Sequence, residues 1–431
     1  MKLIVHRGTK QIGGSCIEVR NGSDRILLDL GLPLPSGQDD QIGAGQETGD
    51  LLASGLLPSI DGVYANGEPN VLAVVMSHVH QDHLGLGEYV HPAIPVYATE
   101  GTWALYDALR PFIPQSGSIA FRSTLVKRKS VTFGSLKATA LPVDHSAPDA
   151  VALLVESDGK RILYSGDLRA HGRKAYLYDR LIDDLSGTID VLLLEGTTIG
   201  RSTGELATEE SLEKDLLQLF QHQEHVALIF CSAQNLDRLV TIYRAVKQTR
   251  KIMVIDLYTA YTLHKLRCIS GHLPQWDWPE VRVVPWGYQQ QRLISAGQSD
   301  FVEATKRQHK WIGWDRMRAQ KSDVVLLMRS NRKVADLESQ LGDEIRNVQV
   351  IWSMWDGYWA QDQYTRPMCE KHGIERINLH TSGHASWGDL QRFAEGIQPG
   401  IVVPIHTEHA DRFAEGLSNV RLLDDGEVLA V

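Results

Sequence analysis

Short apolar runs recur along the chain and predict buried strands, because a strand covered on both faces shows little polar alternation. Patterns with apolar residues three and four positions apart predict helices between several of them. The predicted strands are Lys2–His6, Cys16–Val19, Ile26–Leu30, Val71–Met76, Ala150–Val155, Arg161–Tyr164, Val191–Leu194, Val226–Phe230, Ile252–Ile255, Val324–Met328, Val348–Ile351 and Ile401–Pro404. The predicted helices are Gly101–Leu109, Thr208–Phe220, Leu236–Val246, Ala335–Leu341, Trp387–Ile397 and Ala410–Leu417.

The order of these elements predicts an α/β protein. Strands cluster at the start, whereas the middle of the chain alternates strand and helix as a doubly wound unit does. Arg421–Leu423 and Val428–Val431 are predicted to form a closing hairpin. The Gly/Gln/Asp-rich segment Gly31–Gly49 is predicted as a loop, and Ala65–Asn70 as a turn.

Composition favours a globular protein of two or three domains, because the chain has 431 residues, of which 43% are hydrophobic and 23% charged. No apolar run approaches the ~18 residues of a membrane span, so no membrane association is expected. The N-terminus turns polar too soon for a signal peptide. Four scattered cysteines fit a reducing compartment, and we expect a cytoplasmic location.

The net charge of −9 hides a basic block. From Thr241 to Val334 there are 17 Lys and Arg against 7 Asp and Glu, so 17 − 7 gives +10. Such asymmetry favours contact with a nucleic acid, although a solvated basic face remains the alternative. Aromatic residues are dense nearby, since eight of the ten Trp lie between Trp276 and Trp359. They predict core packing more often than stacking on bases.

The most informative motif is the segment 78–83, HVHQDH. It follows the predicted strand Val71–Met76, which delivers it to a sheet edge, where ligands bind in α/β folds. Three imidazoles and a carboxylate suit a borderline metal such as Zn²⁺. His78 and His80 lie one strand period apart, and Asp82 and His83 fall in the following turn, where they can face a second metal.

This HxHxDH motif after a strand resembles the metallo-β-lactamase superfamily. Segment 143–146 (VDHS) resembles the superfamily's third ligand motif, and segment 165–169 (SGDLR) resembles its fourth. Segments 193–197 (LLEGT), 380–386 (HTSGHAS) and 404–408 (PIHTE) resemble motifs A, B and C of the β-CASP nucleases. Motif C usually reads HGE, and Thr407 replaces its Gly. Because a β-branched residue disfavours positive φ, we expect a different local turn there.

The resemblance implies an αββα metallo-β-lactamase sandwich with an inserted, doubly wound β-CASP domain. It divides the chain into residues 1–200, the first part of the lactamase domain, residues 201–375, the insert, and residues 376–431, the C-terminal part of the lactamase domain. The basic block then lies inside the insert, which in this family clamps nucleic acid over the metal site.

The resemblance also implies roles for individual residues and a pair of divalent ions, Zn²⁺ in the first place with Mn²⁺ as an alternative. His78, His80 and His145 would hold one ion, Asp82, His83 and His406 the other, and Asp167 would bridge. The catalytic candidates are His384 as the proton donor, Glu195 as its orienting carboxylate, and Asp82. Ser386, Ser353 and His380 are candidates for binding phosphate or RNA.

We therefore expect a two-metal hydrolase that cleaves RNA, single-stranded in the first instance. The sequence leaves the assembly open, with a homodimer as one option. Two alternatives remain open at this point. One is a hydrolase of small esters, thioesters or lactones from the same superfamily, although those are usually shorter. The other is a non-catalytic RNA-binding relative, although such proteins usually lose metal ligands.

Overall fold

The computed structural model describes residues 1–34, 46–113, 117–201 and 206–431. Its strands are β1 (Lys2–Arg7), β2 (Cys16–Asn21), β3 (Asp24–Leu28), β4 (Ala73–Val75), β5 (Val96–Thr99), β6 (Arg122–Leu125), β7 (Ser130–Phe133), β8 (Leu136–Pro142), β9 (Val151–Ser157), β10 (Lys160–Tyr164), β11 (Val191–Glu195), β12 (Ala227–Phe230), β13 (Ile252–Asp256), β14 (Val281–Val284), β15 (Val324–Met328), β16 (Gln349–Trp352), β17 (Arg376–Asn378), β18 (Ile401–Ile405) and β19 (Val428–Ala430).

Its α-helices are α1 (Thr48–Ala53), α2 (Gln81–Leu84), α3 (Glu100–Leu109), α4 (Tyr176–Leu185), α5 (Glu209–Gln221), α6 (Leu236–Gln248), α7 (Leu257–Lys265), α8 (Gly287–Ser295), α9 (Ser299–Arg307), α10 (Trp314–Ala319), α11 (Lys333–Leu341), α12 (Asp356–Ala360), α13 (Thr365–His372), α14 (Trp387–Ile397) and α15 (Phe413–Gly416). No helix among the described residues combines the length and apolar character that crossing a membrane requires.

The chain divides into two compact units. The first unit comprises Met1–Tyr106, Pro114–Glu205 and Gly383–Val431, and the inserted unit comprises Asp107–Ile113 and Leu206–Ser382. The insert predicted at 201–375 therefore has a structural counterpart that ends seven residues later in the sequence and also takes in a short segment from the end of α3.

Two sheets form the first unit. One is seven-stranded with the order β19-β1-β2-β3-β4-β5-β6, and the other is six-stranded with the order β18-β11-β10-β9-β8-β7. Alternate residues of both sheets form one core, for example Val5 and Ile26 from the first sheet with Leu153 and Leu193 from the second. This alternation follows from the two-residue period of a strand.

Helices cover the outer face of the second sheet. Leu154 and Leu192, whose side chains point away from the first core, pack with Leu181 of α4 and with Leu390 and Phe393 of α14. Two packed sheets, the second covered by helices, agree with the predicted αββα fold class.

The inserted unit contains a six-stranded sheet in the order β14-β13-β15-β12-β16-β17, and every strand pair in it is parallel. Side chains such as Leu228 and Leu326 pack under α11 and α13 through Leu337 and Met368. The alternating strand–helix pattern predicted this doubly wound arrangement, because parallel strands need a helical crossover.

The predicted closing hairpin is wrong. Val428–Ala430 forms β19, which pairs antiparallel with Lys2–Ile4 of β1, and Arg421–Leu423 is not a strand. The N-terminal strand offers an unpaired edge, and a C-terminal segment that covers this edge satisfies backbone groups that a local hairpin would leave to solvent. The predicted loop Gly31–Gly49 includes residues 35–45, which lie outside the described residues, and Thr48 begins α1.

Candidate metal centre and catalytic site

The predicted metal ligands of the first unit all lie just after the ends of strands. His78 and His80 follow β4, and Asp82 and His83 lie on the short helix α2 that begins directly afterwards. His145 follows β8, Asp167 follows β10 and His406 follows β18. The structure brings these seven side chains together into two groups that share Asp167.

The first group contains three imidazoles and one carboxylate. The ligand atoms of His78, His80, His145 and Asp167 lie within 4.8 Å of one another. Nδ1 of His80 lies 3.1 Å from Nε2 of His78 and 3.2 Å from Nε2 of His145. Imidazole nitrogens that converge in this way are typical of a metal site.

The second group contains two imidazoles and two carboxylates. Asp82, His83, Asp167 and His406 again place one ligand atom each within 4.8 Å of the others. Nε2 of His83 lies 3.2 Å from Oδ2 of Asp167, and Nε2 of His406 lies 3.3 Å from Oδ2 of Asp82. Asp167 belongs to both groups, which is the position of a bridging carboxylate.

Neighbouring groups select the nitrogen that each imidazole presents. His145 donates from Nδ1 to the carbonyl of Gly383 at 2.7 Å, and Nδ1 of His406 lies 2.9 Å from the hydroxyl of Thr197. In both residues Nε2 therefore points into the cluster. Such outer hydrogen bonds fix the tautomer of a ligating histidine and raise its basicity.

Asp29, which none of the sequence motifs includes, organises the other side of the cluster. Its carboxylate accepts from Nδ1 of His83 at 2.8 Å, from Tyr164 at 2.5 Å and from the hydroxyl and backbone N–H of Ser77, each at 2.6 Å. Because Ser77 gives its proton to Asp29, its oxygen accepts from Nδ1 of His78 at 3.0 Å. The pattern that could have revealed Asp29 is an acidic residue at the end of an apolar run, immediately beyond β3.

Burial and local charges set the protonation states in the cluster. Burial by itself would lower the pKa of His83, but the neighbouring carboxylates outweigh it and raise this pKa well above the usual range, so a metal bound there would displace a proton. Burial lowers the pKa values of His78 and His145 well below the usual range, and neighbouring imidazoles lower them further. Both imidazoles are therefore neutral, which is the state in which an imidazole can hold a metal. Burial alone would raise the pKa of Asp167, but His83 and His406 outweigh it and hold this pKa well below the usual range. Burial would likewise raise the pKa of Asp82, but His406 and His83 outweigh it and lower this pKa.

The donor set fits a metal ion. Nε2 of His83, Nε2 of His406 and both carboxylate oxygens of Asp167 are buried without a hydrogen-bond partner among the described residues. Buried polar atoms without partners are costly, and in native structures they generally mark an ion or a water. Neutral imidazoles and ionised carboxylates are the ligands that a divalent transition metal requires.

His384 and Glu195 adjoin the cluster. Nδ1 of His384 lies 3.2 Å from Oε1 of Glu195 and 3.7 Å from Oδ2 of Asp167. Backbone N–H groups of Leu168 and Thr197 donate to the two oxygens of Glu195 and fix its carboxylate. Burial by itself would lower the pKa of His384, but Glu195 and Asp167 outweigh it and raise this pKa to about 9.

Two residues at the strand ends of the cluster have left-handed backbone conformations. Gly166 has a φ of 54°, and a Cβ there would lie 2.9 Å from the carbonyl of Val151, so only glycine fits beside Asp167. In motif C the left-handed residue is His406, with a φ of 52°, whereas Thr407 is outside this region. The replacement of Gly by Thr is therefore compatible with the turn, because the strain falls one residue earlier.

The predicted phosphate-binding residues lie in different surroundings. Ser386 caps α14, where its hydroxyl accepts from the backbone of Asp389. Ser353 is only 5% exposed, and its hydroxyl donates to the carbonyl of Leu379 and contacts Arg238. This arrangement favours a structural role for Ser353 in the inserted unit. His380 is half-buried and belongs to the inserted unit, whereas Ser386 belongs to the first.

Comparison with known proteins adds family information to this geometry. Residues 65–254 match the model of the beta-lactamase superfamily domain, and residues 373–422 match that of the Zn-dependent metallo-hydrolase RNA specificity domain. A ribonuclease J from Helicobacter pylori (strain ATCC 700392 / 26695) is 21% identical over 452 residues, covering 98% of this chain and 60% of the relative. One from Mycobacterium tuberculosis (strain ATCC 25618 / H37Rv) is 25% identical over 418 residues, covering 93% and 67%.

The fold is also known from a solved structure. A protein of unknown function from Enterococcus faecalis V583 aligns with a TM-score of 0.77 at 21% identity, covering 100% of this chain and 99% of that one. The fold and the cluster together resemble those of a metallo-β-lactamase-type protein with an inserted unit. These matches support the β-CASP, ribonuclease J-like family that the sequence motifs resemble. It spans about 60% of the length of the first curated relative that it matches.

Proposed function

We propose that this protein is a ribonuclease that hydrolyses RNA phosphodiester bonds with two divalent ions, Zn²⁺ as the first candidate and Mn²⁺ as the second. The observation that carries the proposal is the sharing of Asp167 between two groups of metal ligands. His78, His80 and His145 would hold one ion, and Asp82, His83 and His406 the other. A pair of ions in such a site activates a water and stabilises the charge on a scissile phosphate.

The protein's own groups orient the ligands and supply the proton. Asp29, Thr197 and the carbonyl of Gly383 hold three imidazoles in the tautomers that present Nε2 to the cluster. The leaving 3′-oxygen needs a proton when the phosphodiester bond breaks. His384 is the proposed donor, since Glu195 engages Nδ1 and raises the pKa, so that the ring carries a proton near neutral pH.

RNA is the favoured substrate over a small ester or lactone. The match of residues 373–422 to an RNA specificity domain and the relatives named ribonuclease J support it. The basic block of the inserted unit also supports a polyanion, because Lys and Arg side chains neutralise phosphates without reading sequence. Single-stranded RNA, a cytoplasmic location and a homodimer are part of the same proposal.

A non-catalytic RNA-binding role is the second candidate, and the complete set of seven ligands argues against it. The deciding experiment incubates metal-loaded protein with end-labelled 5′-phosphorylated RNA, 5′-hydroxylated RNA and single-stranded DNA. We expect cleavage of RNA that stops when a chelator removes the metal. Retention of RNA without any cleavage after reconstitution with zinc and with manganese would favour the non-catalytic role.

A further inference from the structure

A cavity opens at the carboxyl edge of the sheet in the inserted unit. Its lining residues come from the segments that follow four parallel strands, with Gln234 after β12, Tyr258 after β13, Gln289 after β14 and Arg329 after β15. Strand β15 lies between β12 and β13, although it follows both in the sequence. Such a reversal of strand order opens a crevice at the carboxyl ends of the strands, where α/β sheets bind ligands.

The size of the cavity matches one aromatic ring. Its volume is about 180 Å³, and an apolar cavity of ~150 Å³ accommodates benzene. Leu327, Met328 and Phe112 contribute apolar surface, and Tyr258 and Tyr288 contribute aromatic rings. Apolar and aromatic walls of this kind receive a flat ring by stacking.

Polar groups of the cavity are held in fixed positions. Asp256 accepts from Lys333 at 3.0 Å and from Nε2 of Gln289 at 2.6 Å, and Thr259 donates to its other oxygen. The amide of Gln289 is thereby oriented, and its Oε1 is buried with no donor among the described residues. A buried acceptor without a partner favours a ligand that brings an N–H group.

Cations lie beside the aromatic wall. Arg329 lines the cavity and is exposed, and the guanidinium of Arg332 lies 5.5 Å from the ring centre of Tyr288. Exposed arginines next to an aromatic platform are suited to a phosphate that is attached to a stacked ring. A purely apolar ligand would leave these charges without a role.

We propose that this cavity binds one unstacked, single-ring base, a pyrimidine, from a single-stranded nucleic acid. The inference rests on the proposed function in one respect only, which is that the partner is RNA. The base would enter the cavity that Tyr258 and Tyr288 help to line, and Arg329 and Arg332 would contact the adjoining phosphate. Because the space matches one ring, we expect the inserted unit to favour pyrimidines over two-ring purines.

Photo-crosslinking tests this assignment directly. The metal-loaded full chain is mixed with a phosphorothioate-linked oligouridine that carries one 4-thiouridine and resists hydrolysis, and the crosslinked peptide is identified by mass spectrometry. We expect crosslinks to Tyr258, Tyr288 or Met328. Crosslinks confined to other segments, or labelling of the cavity by free 4-thiouridine monophosphate but not by the strand, would overturn the proposal.

Affinity measurements with matched variants complete the test. Tyr288→Ala should weaken oligouridine binding by about 5- to 100-fold, because base stacking on one aromatic ring contributes that much. Tyr288→Phe should retain affinity, and so should Tyr358→Ala, which removes a 60% exposed ring outside the cavity. Equal affinity for oligouridine and oligoadenosine, with no effect of Tyr288→Ala, would contradict the proposal. These assays measure binding and do not require cleavage. If the chain crosslinks in the cavity but cleaves no RNA, the proposed activity is refuted and the proposed base-binding cavity is not.

Discussion

Oδ2 of Asp29 lies 2.8 Å from Nδ1 of His83, and this contact joins the end of the third strand to the metal cluster. The carboxylate fixes the ring of His83 so that Nε2 approaches Asp167 at 3.2 Å. Asp29 itself has a φ of 58°, a conformation that aspartate tolerates better than most residues. The position of the Asp29 carboxylate is therefore set by its left-handed backbone conformation as well as by its hydrogen bonds.

Replacing Asp29 should weaken metal binding without touching a ligand. We expect Asp29→Asn to lower metal affinity by about 10- to 100-fold, the usual effect of losing an outer partner of a ligating histidine. Competition with a chelator measures this. Asp183→Asn, an exposed position on α4, is the matched control. Unchanged affinity in Asp29→Asn would show that His83 needs no orienting carboxylate.

Glu18 predicts a pH-dependent stability. Burial alone would raise its pKa, but hydrogen bonds from His6 and Arg25 outweigh it and lower the pKa to about 2. Because the folded pKa lies below the ordinary value, the stabilisation is fully present above about pH 4.5 and is lost as the pH falls towards 2.

Glu18→Gln should therefore reduce the free energy of unfolding by about 1.5–3 kcal/mol at pH 7, the range for hydrogen bonds to a charged group. The loss should shrink towards pH 3, which denaturant titrations at both pH values measure. Glu68→Gln, in the exposed turn, should have little effect at either pH. An equal loss at both pH values would mean that the charge of Glu18 contributes nothing.

The basic block predicts salt-dependent RNA binding. Lys306 and Arg307 are exposed at the end of α9, whereas Lys310 donates to the carbonyl of Trp278 and Arg244 pairs with Glu213. The exposed pair is therefore the better test. Neutralising both should reduce the slope of log affinity against log salt by about 1.4 if each contacts one phosphate of a single strand.

Fluorescence anisotropy between roughly 50 and 200 mM salt measures that slope. Lys214→Gln is the control, since Lys214 lies in the inserted unit outside the basic block and pairs with Glu210. A slope that is unchanged in the double variant would remove Lys306 and Arg307 from the RNA path.

His384 should be needed for cleavage rather than for metal binding. His384→Ala should lower the cleavage rate by about 10²- to 10⁴-fold at unchanged metal content, the usual contribution of general acid–base catalysis. Glu195→Gln should cause a smaller loss, because an oriented but less basic imidazole still donates. If His384→Ala releases a metal while His406→Ala does not, the proton donor and the ligand have been exchanged.

Much of the architecture was predictable from local pattern. Buried strands such as Val324–Met328 and the helix Trp387–Ile397 have the predicted bounds, because their apolar periodicity is strong and a cap marks the helix start. Arg122–Leu125 and Ser130–Phe133 were missed, since these strands have few buried residues. The pairing of the C-terminal strand with β1 joins chain ends, which no local pattern encodes.

The site, like the fold, has parts that local sequence spacing predicts and parts that depend on contacts between distant segments. The HxHxDH segment predicted a metal cluster because four candidate ligands, three His and one Asp, lie within six residues, and local spacing suffices there. The contacts of Thr197 and Gly383 with the histidines could not be predicted, because they depend on how distant strand ends meet. Asp29 was missed, although its place at the end of an apolar run could have indicated it. Sequence spacing also does not tell which aromatic residues are buried. Trp276 and Trp352 are buried in the inserted unit, whereas Trp355 is exposed.

Metal content of the wild-type chain and of ligand variants tests the central claim most directly. Elemental analysis after purification without chelators and reconstitution with zinc or manganese should find about two ions per chain. His145→Ala and His406→Ala should each lose about one ion, and Asp167→Asn should disturb both because it is shared by the two groups. Well under one ion per chain in the reconstituted wild type would contradict the two-metal account.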